Sequence, residues 1–142
     1  MTTEDVRADR TAGATRQLAN WLTRYVQAWR TSDPADIAAL FTPGARYLTQ
    51  PDAQPWLGHE AIVSGWLARA AREPGWTTHH QILGTHRFPD RHGVRGFVQG
   101  RTVYAGGDQT ITFDNLWVVD LGPDGRAGSF TEWWMRRPPA EE

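Results

Sequence analysis

The feature that most constrains the fold is a series of four strand-like segments in the second half of the chain. Each is rich in β-branched and aromatic residues and is bounded by Gly, Pro and Asp at turn positions. The segments are residues 77–87, 93–104, 110–121 and 126–136. Short turns between successive strands predict hairpin connections, so we expect an antiparallel meander.

The first half of the chain has helical spacing. Apolar residues from Leu18 to Trp29 recur on one face and predict a first amphipathic helix. Ser32 or Asp33 before Pro34 is typical of a helix start and predicts a short second helix, which we expect to end at residues 43–44. A third helix is predicted after Gly58.

The remaining segments are assigned by their composition. Residues 45–49 are predicted to form a short strand, and the proline-rich residues 51–58 a loop that does not continue a ladder. Residues 1–14 lack periodicity and are predicted to be a mobile tail, and residues 139–142 a second polar tail. One α+β domain over residues 15–138 is therefore expected, with three helices covering one face of one sheet.

Composition excludes several classes of function. The 142 residues contain no Cys, and no Lys is found among the 15 cationic residues, so thiolate and Schiff-base chemistry are excluded. The net charge is −1, without a basic stripe, and no apolar segment has the length of a membrane span. We therefore expect a cytoplasmic protein without a nucleic-acid or membrane partner. The sequence has no metal-binding motif, and we expect the protein to bind neither a metal nor a cofactor.

Three segments together resemble the nuclear transport factor 2-like superfamily. They are YVQAWRTSDPADIAALFTPGARY, PWLGHEAIVSGW and NLWVVDLGPDGRAGSFTEWW, and the resemblance extends over residues 15–138. The superfamily includes ketosteroid isomerase, limonene epoxide hydrolase and the SnoaL-like polyketide cyclases, and the SnoaL-like group is the most similar. The resemblance implies a cone-shaped fold in which the sheet and the helices enclose one cavity.

The resemblance to ketosteroid isomerase is partial. It places Tyr25 where the isomerase has a tyrosine that donates to the substrate oxyanion. Thr49 stands at the position of the general base, and Trp117 at that of the second oxyanion donor. Threonine is too weak a base for a carbon-bound proton, so isomerisation by that mechanism is disfavoured.

The resemblance to limonene epoxide hydrolase is partial as well. Glu132 corresponds to the hydrolase's aspartate on the last strand, and Arg101 to its arginine. The hydrolase's Arg-x-Asp spacing is absent, because the chain has Gln99-x-Arg101 instead, and the missing second carboxylate disfavours epoxide opening. The resemblance thus implies that Arg101 orients Glu132; a purely structural pair, or a solvent-facing Glu132, is the alternative.

Strand alternation and the resemblance together predict the cavity wall. Phe130, Glu132 and Trp134 share one face of the last strand, and the resemblance makes that face the inner one. It also favours His79 over His80 as a proton relay. The other wall residues, predicted from residue type or from the resemblance, are Trp29, Tyr47, Thr49, Trp56, Trp66, Gln81, Gln99, Asn115 and Trp117.

Two functions remain open on the sequence alone. The first is a cofactor-independent acid/base enzyme of isomerase, cyclase or hydrolase type, acting on a small, mostly apolar cyclic molecule. Glu132, His79, Tyr25 and Arg101 would then be its catalytic residues. The alternative is a non-catalytic binding or dimerisation module. In either case Trp133 on the outer sheet face needs a cover, and we expect a homodimer through that face.

Overall fold

In the computed structural model, residues 2–72, 75–89, 92–105 and 108–138 are described. These residues form three helices and one six-stranded sheet. In chain order the elements are α1 (Thr3–Thr31), α2 (Pro34–Ala38), β1 (Phe41–Leu48), β2 (Trp56–Leu57), α3 (Gly58–Arg72), β3 (Trp76–Arg87), β4 (Val94–Tyr104), β5 (Ile111–Leu121) and β6 (Ala127–Arg136).

The order of strands in the sheet is β2-β1-β6-β5-β4-β3. Strands β3 to β6 form the predicted antiparallel meander, and β6 also pairs in parallel with β1. The sheet is curved and not closed, and the N-terminal helices pack on one face of it. The predicted α+β class is therefore confirmed. No helix in the described ranges is long and apolar enough to cross a membrane.

The first helix begins earlier than the sequence pattern suggests. Thr2 and Asp5 form a reciprocal capping box, and acidic residues occupy the first turn, so α1 starts at Thr3. Residues 3–14 are thus helical, and the assignment of this segment as an aperiodic tail is wrong. In this segment the capping box, and not apolar periodicity, indicates the start of the helix. That residues 1–14 are mobile stays a prediction.

The connection from α2 to β1 also differs from expectation. Helix α2 ends at Ala38, and β1 already begins at Phe41 and includes Pro43. The register between β1 and β6 shifts in this part of the strand, where a residue without an N–H is tolerated. The predicted loop contains β2, which pairs with β1 through Trp56 and Tyr47.

The core lies between the helices and the inner face of the sheet and is rich in stacked aromatic rings. The Tyr47 ring stacks on Phe130 at 4.5 Å and on Trp56 at 5.0 Å, and Tyr25 stacks on Phe130 at 5.3 Å. Small residues permit the close packing: a Cβ on Gly96 would overlap Leu18 of α1. The helices are thereby held against the sheet at one end, and a cavity remains at the other.

Candidate functional site

A cavity of about 610 Å³ lies between α1, α3 and the inner face of the sheet. It opens to the protein surface, and aromatic side chains from both layers make up half of the residues in its wall. The predicted site residues found in this wall are Tyr25, Trp29, Thr49, Trp56, Asn115, Trp117, Glu132 and Trp134. The wall therefore runs along α1, β5 and β6, and ligand binding by these residues stays a prediction.

Glu132 is the acidic group among the described residues of the cavity wall. Its side chain lies on the inner face of β6 opposite Trp117 of β5 and is only 7% exposed. The Asn115 amide donates a 2.8 Å hydrogen bond from Nδ2 to Oε1 of Glu132. Thr102 Oγ1 in turn donates to Oδ1 of Asn115 over 3.2 Å, which fixes the amide orientation. Three strands thus position one carboxylate.

Two buried phenols lie beneath the cavity. The hydroxyl groups of Tyr25 and Tyr47 share a 2.9 Å hydrogen bond. Burial raises the pKa of both phenols well above the usual value, and the negative charge of Glu132 raises both further. Both hydroxyls therefore stay protonated at neutral and moderately alkaline pH. Tyr25, which reaches the cavity wall, can act as a hydrogen-bond donor but not as a base.

Arg69 is a cavity residue that the sequence interpretation missed. It lies on α3, seven residues after Ile62 and three after Trp66, so it shares the buried face of that helix. Its guanidinium carbon is 5.8 Å from the centre of the Trp29 ring. Among the described wall residues it is the cation that accompanies the acid Glu132. The helical spacing from Ile62 and Trp66 indicates that Arg69 lies on the buried face. The residue was overlooked because arginine is polar.

Four predicted site residues lie on the outer face instead. His79 pairs with Arg101 and Gln81 with Gln99 in the β3–β4 register, and all four are exposed. Arg101 Nε donates to Asp114 over 3.1 Å, so the predicted pairing of Arg101 with Glu132 is wrong. A proton relay through His79 within the cavity is excluded by the same geometry. The physical reason is that the inner face of β4 carries small residues, which leave room for the helices.

Tyr47 and Trp66 belong to the core and not to the cavity wall. Both are fully buried, and Tyr47 is sandwiched between Trp56 and Phe130. The Trp66 ring contacts Tyr25 at 5.2 Å and Trp29 at 5.2 Å. Their role is to support the residues that form the wall.

Further wall residues were not predicted from the sequence. They are Val26, Gln50, Trp76, Thr78, Thr102, Tyr104 and Phe113. Alternation on β4 would have found Thr102, because it shares a face with Gly96, Val98 and Gly100. Within the described residues, Thr78 Oγ1 and Trp117 Nε1 are buried without a hydrogen-bond partner. A ligand or water that accepts hydrogen bonds from these two groups would remove the free-energy cost of burying them without an acceptor.

A family model described as a SnoaL-like domain matches residues 22–130 of the chain. No curated protein matches the sequence significantly. The match begins within α1, includes α2, α3 and strands β1 to β5, and ends within β6 at Phe130. It therefore contains most of the cavity wall.

Solved structures show the same fold at low identity. A candidate scytalone dehydratase from Novosphingobium aromaticivorans is 13% identical, with a TM-score of 0.73 over 90% of this chain and 89% of the other. Aln2 from a Streptomyces species is 18% identical, with a TM-score of 0.68 over 83% and 88%. SalBIII, an epoxide hydrolase/cyclase-like enzyme in salinomycin pyran ring formation, is 13% identical, with a TM-score of 0.60 over 87% and 92%. At these identities they establish the fold alone, which is the nuclear transport factor 2-like cone expected from the sequence.

Proposed function

Since the chain belongs to the SnoaL-like domain family, we propose that it is a cofactor-independent acid/base enzyme acting on a small, cyclic, mostly apolar molecule. The observation that supports this most directly is the carboxylate of Glu132 inside an aromatic cavity. The cavity volume of about 610 Å³ falls in the range that holds a ligand of several fused rings. Flat indole walls favour a flat or cyclic ligand.

In this proposal Glu132 is the proton acceptor. Asn115 donates to one oxygen of the carboxylate and so holds it at the cavity wall, where it can accept a proton from a bound ligand. The amide also fixes the direction from which the carboxylate approaches the ligand. Positioned proton transfer of this kind contributes about 10²- to 10⁴-fold to a rate.

Tyr25 supplies the complementary donor. Its raised pKa keeps the hydroxyl protonated, so it can donate to an oxygen that gains negative charge as the proton leaves. The Phe130 ring stacked on Tyr25 and the Trp117 ring tilted against it keep water away and strengthen this interaction. Abstraction of a proton next to a carbonyl group is the step that such a pair performs best.

A binding module without catalysis is the second candidate. It is supported by the position of His79 and Arg101 on the outer face, where neither residue can take the role inside the cavity that the enzyme hypothesis assigned to it. The two functions differ in one outcome, because a binding module holds the ligand unchanged whereas an enzyme converts it.

The experiment is a turnover screen with a paired variant. Purified protein is incubated with a panel of steroids, terpenes and aromatic polyketides, and products are followed by mass spectrometry. Conversion by the wild type, a loss of about 100-fold or more in Glu132→Gln and unchanged rates in Asp114→Asn support the proposal. Asp114 is the matched control, since its carboxylate lies on the outer face. Binding of panel members without conversion would favour the binding module, and an active Glu132→Gln would overturn the assignment of Glu132.

We further propose that the outer sheet face forms a homodimer interface. Leu83, Leu116, Trp133 and Met135 are exposed there, and exposed apolar groups of this size are typical of protein contacts. Analytical ultracentrifugation should give a dimer for the wild type and a monomer for Trp133→Arg. A monomeric wild type at micromolar concentration would contradict the proposal.

A further inference from the structure

The inner face of the sheet gives the cavity a long wall, with Glu132 at one end. Through the strand register, Glu132 is level with Val98 of β4. Tyr104 lines the cavity three inner-face positions beyond Val98, and three such positions correspond to about 20 Å along a strand. Asn115 and Thr102 line the cavity between these two ends, so the wall is continuous. It is much longer than a molecule of two fused rings.

The end of the wall remote from Glu132 is rich in aromatic rings. Four wall residues from α1, β3, β4 and β5 form what we call the distal aromatic subsite: Trp29, Trp76, Tyr104 and Phe113. The rings of Trp29 and Trp76 meet edge to face at 5.7 Å, and those of Tyr104 and Phe113 at 5.8 Å. Trp76 and Tyr104 are partners in the β3–β4 register, so the two pairs of rings are neighbours in the wall.

The rings of the distal aromatic subsite are only partly buried, in contrast to the fully buried rings of the core. Apolar ligand atoms that cover these rings would remove apolar surface from water, which is favourable. The edge-to-face contacts between the rings hold this surface in place before a ligand binds, so little conformational entropy is lost on binding. The subsite is therefore suited to an apolar group.

The two ends of the cavity differ in chemistry. Glu132, Asn115 and Tyr25 provide polar groups at one end, whereas aromatic rings dominate the other. A ligand that lies against both ends would place a polar, reacting part at Glu132 and an apolar part at the distal aromatic subsite. The length of the wall means that such a ligand extends well beyond its reacting ring.

We propose that the ligand is an elongated, mostly apolar molecule whose reacting ring lies at Glu132 and whose remote apolar end binds to the distal aromatic subsite. This inference rests on the proposed function, since that function places the reacting ring at Glu132. It makes Tyr104 and Phe113 determinants of specificity for ligand length, although neither residue contacts the reacting atoms.

The test compares two neutral ketones, 2-acetylnaphthalene and 2-hexanoylnaphthalene, by isothermal titration calorimetry with the full chain. They share the ring and the carbonyl group and differ only in the length of the alkyl chain. The wild type should bind the hexanoyl ketone about tenfold or more tightly than the acetyl ketone, because the longer chain reaches the distal aromatic subsite. Phe113→Ala and Tyr104→Ala should each weaken binding of the hexanoyl ketone by about fivefold and leave that of the acetyl ketone unchanged.

Val103→Ala is the matched control, because Val103 precedes Tyr104 on β4 and is also partly buried but lies on the outer face. It should keep the wild-type preference for the hexanoyl ketone. Two subsite variants are used so that one readout remains if the other variant fails to fold. Equal affinities of the wild type for the two ketones would overturn the distal aromatic subsite while leaving the proposed function intact. A preference that survives in both subsite variants, or one that Val103→Ala also removes, would do the same. Binding of neither ketone would count against both proposals.

Discussion

The two faces of the sheet use the same residue types in opposite ways, and the adjacent residues Asp114 and Asn115 show the contrast. Asp114 points outward, where it bonds to Arg137 over 2.6 Å and to Arg101 over 3.1 Å. Asn115 points inward, where it bonds to Glu132 and Thr102. Outside, the Asp114 carboxylate bonds to two guanidinium groups near water; inside, the buried Glu132 carboxylate accepts a hydrogen bond from a neutral amide.

The difference between the two faces shows where a charged group affects the stability of this fold most. The bond from Arg137, followed by that from Arg101, lowers the pKa of Asp114, but water screens both ion pairs. Glu132 has lost most of its water, so each hydrogen bond that it keeps is costly to remove. Stability and chemistry should therefore be sensitive to inner-face substitutions and tolerant of outer-face ones.

The largest expected effect comes from the aromatic stack on β6. Phe130→Ala removes a buried ring that stacks on both Tyr25 and Tyr47, and should lower the free energy of unfolding by about 3–5 kcal/mol. The neighbouring outer-face substitution Thr131→Ala should cost less than about 1 kcal/mol. Urea unfolding followed by tryptophan fluorescence measures both. Equal decreases in the free energy of unfolding of the two variants would contradict the described difference between the two faces.

A smaller effect is expected from the Asn115 and Asp114 pair itself. Asn115→Ala removes the donor to a buried carboxylate and should cost about 2–3 kcal/mol at pH 7. Asp114→Ala removes two exposed, screened ion pairs and should leave the unfolding midpoint close to that of the wild type. The same urea titration checks this prediction, and a larger loss in Asp114→Ala would reverse the comparison.

The smallest effect should appear only at high pH. The raised pKa of Tyr47 means that the phenol is protonated in the folded chain while the unfolded phenol ionises near its usual value of 10.0. The contribution of this phenol to the free energy of unfolding is therefore complete below pH 10. Above pH 10 the free energy of unfolding should fall by about 1 kcal/mol per pH unit for each such phenol. Tyr47→Phe should make the decline from pH 10 to 11 shallower. Asp114→Ala should keep the wild-type slope, and an identical slope in Tyr47→Phe would contradict the assignment.

The sequence predicts the meander well because its turns carry strong local chemistry. The bounds of β3 to β6 agree with the expected segments to within a residue at each end. The inner face of β6 is also predictable, since Phe130, Glu132 and Trp134 alternate with outward residues. On β4 the alternation of small with large polar residues indicates an outward Arg101, whereas the resemblance to relatives implied an inward one.

Other parts of the site depend on long-range contacts that leave little local trace. Arg69 reaches the cavity only because α3 packs across β1 and carries a cation on its buried side. The parallel pairing of β1 with β6 links residues more than 80 positions apart, as in the pair Tyr47 and Phe130. Neither periodicity nor turn chemistry encodes such a pairing.

The central place of β6 has a consequence for synthesis on the ribosome. This strand follows all the others described in chain order, yet it lies between β1 and β5. Until residues 127–136 have left the exit tunnel, β1 and β5 each expose backbone N–H and C=O groups that have no strand to pair with. The cavity wall that contains Glu132 is also incomplete until then. The sheet and the site are therefore completed in one step, when β6 pairs with both of its neighbours after the other described strands have been made.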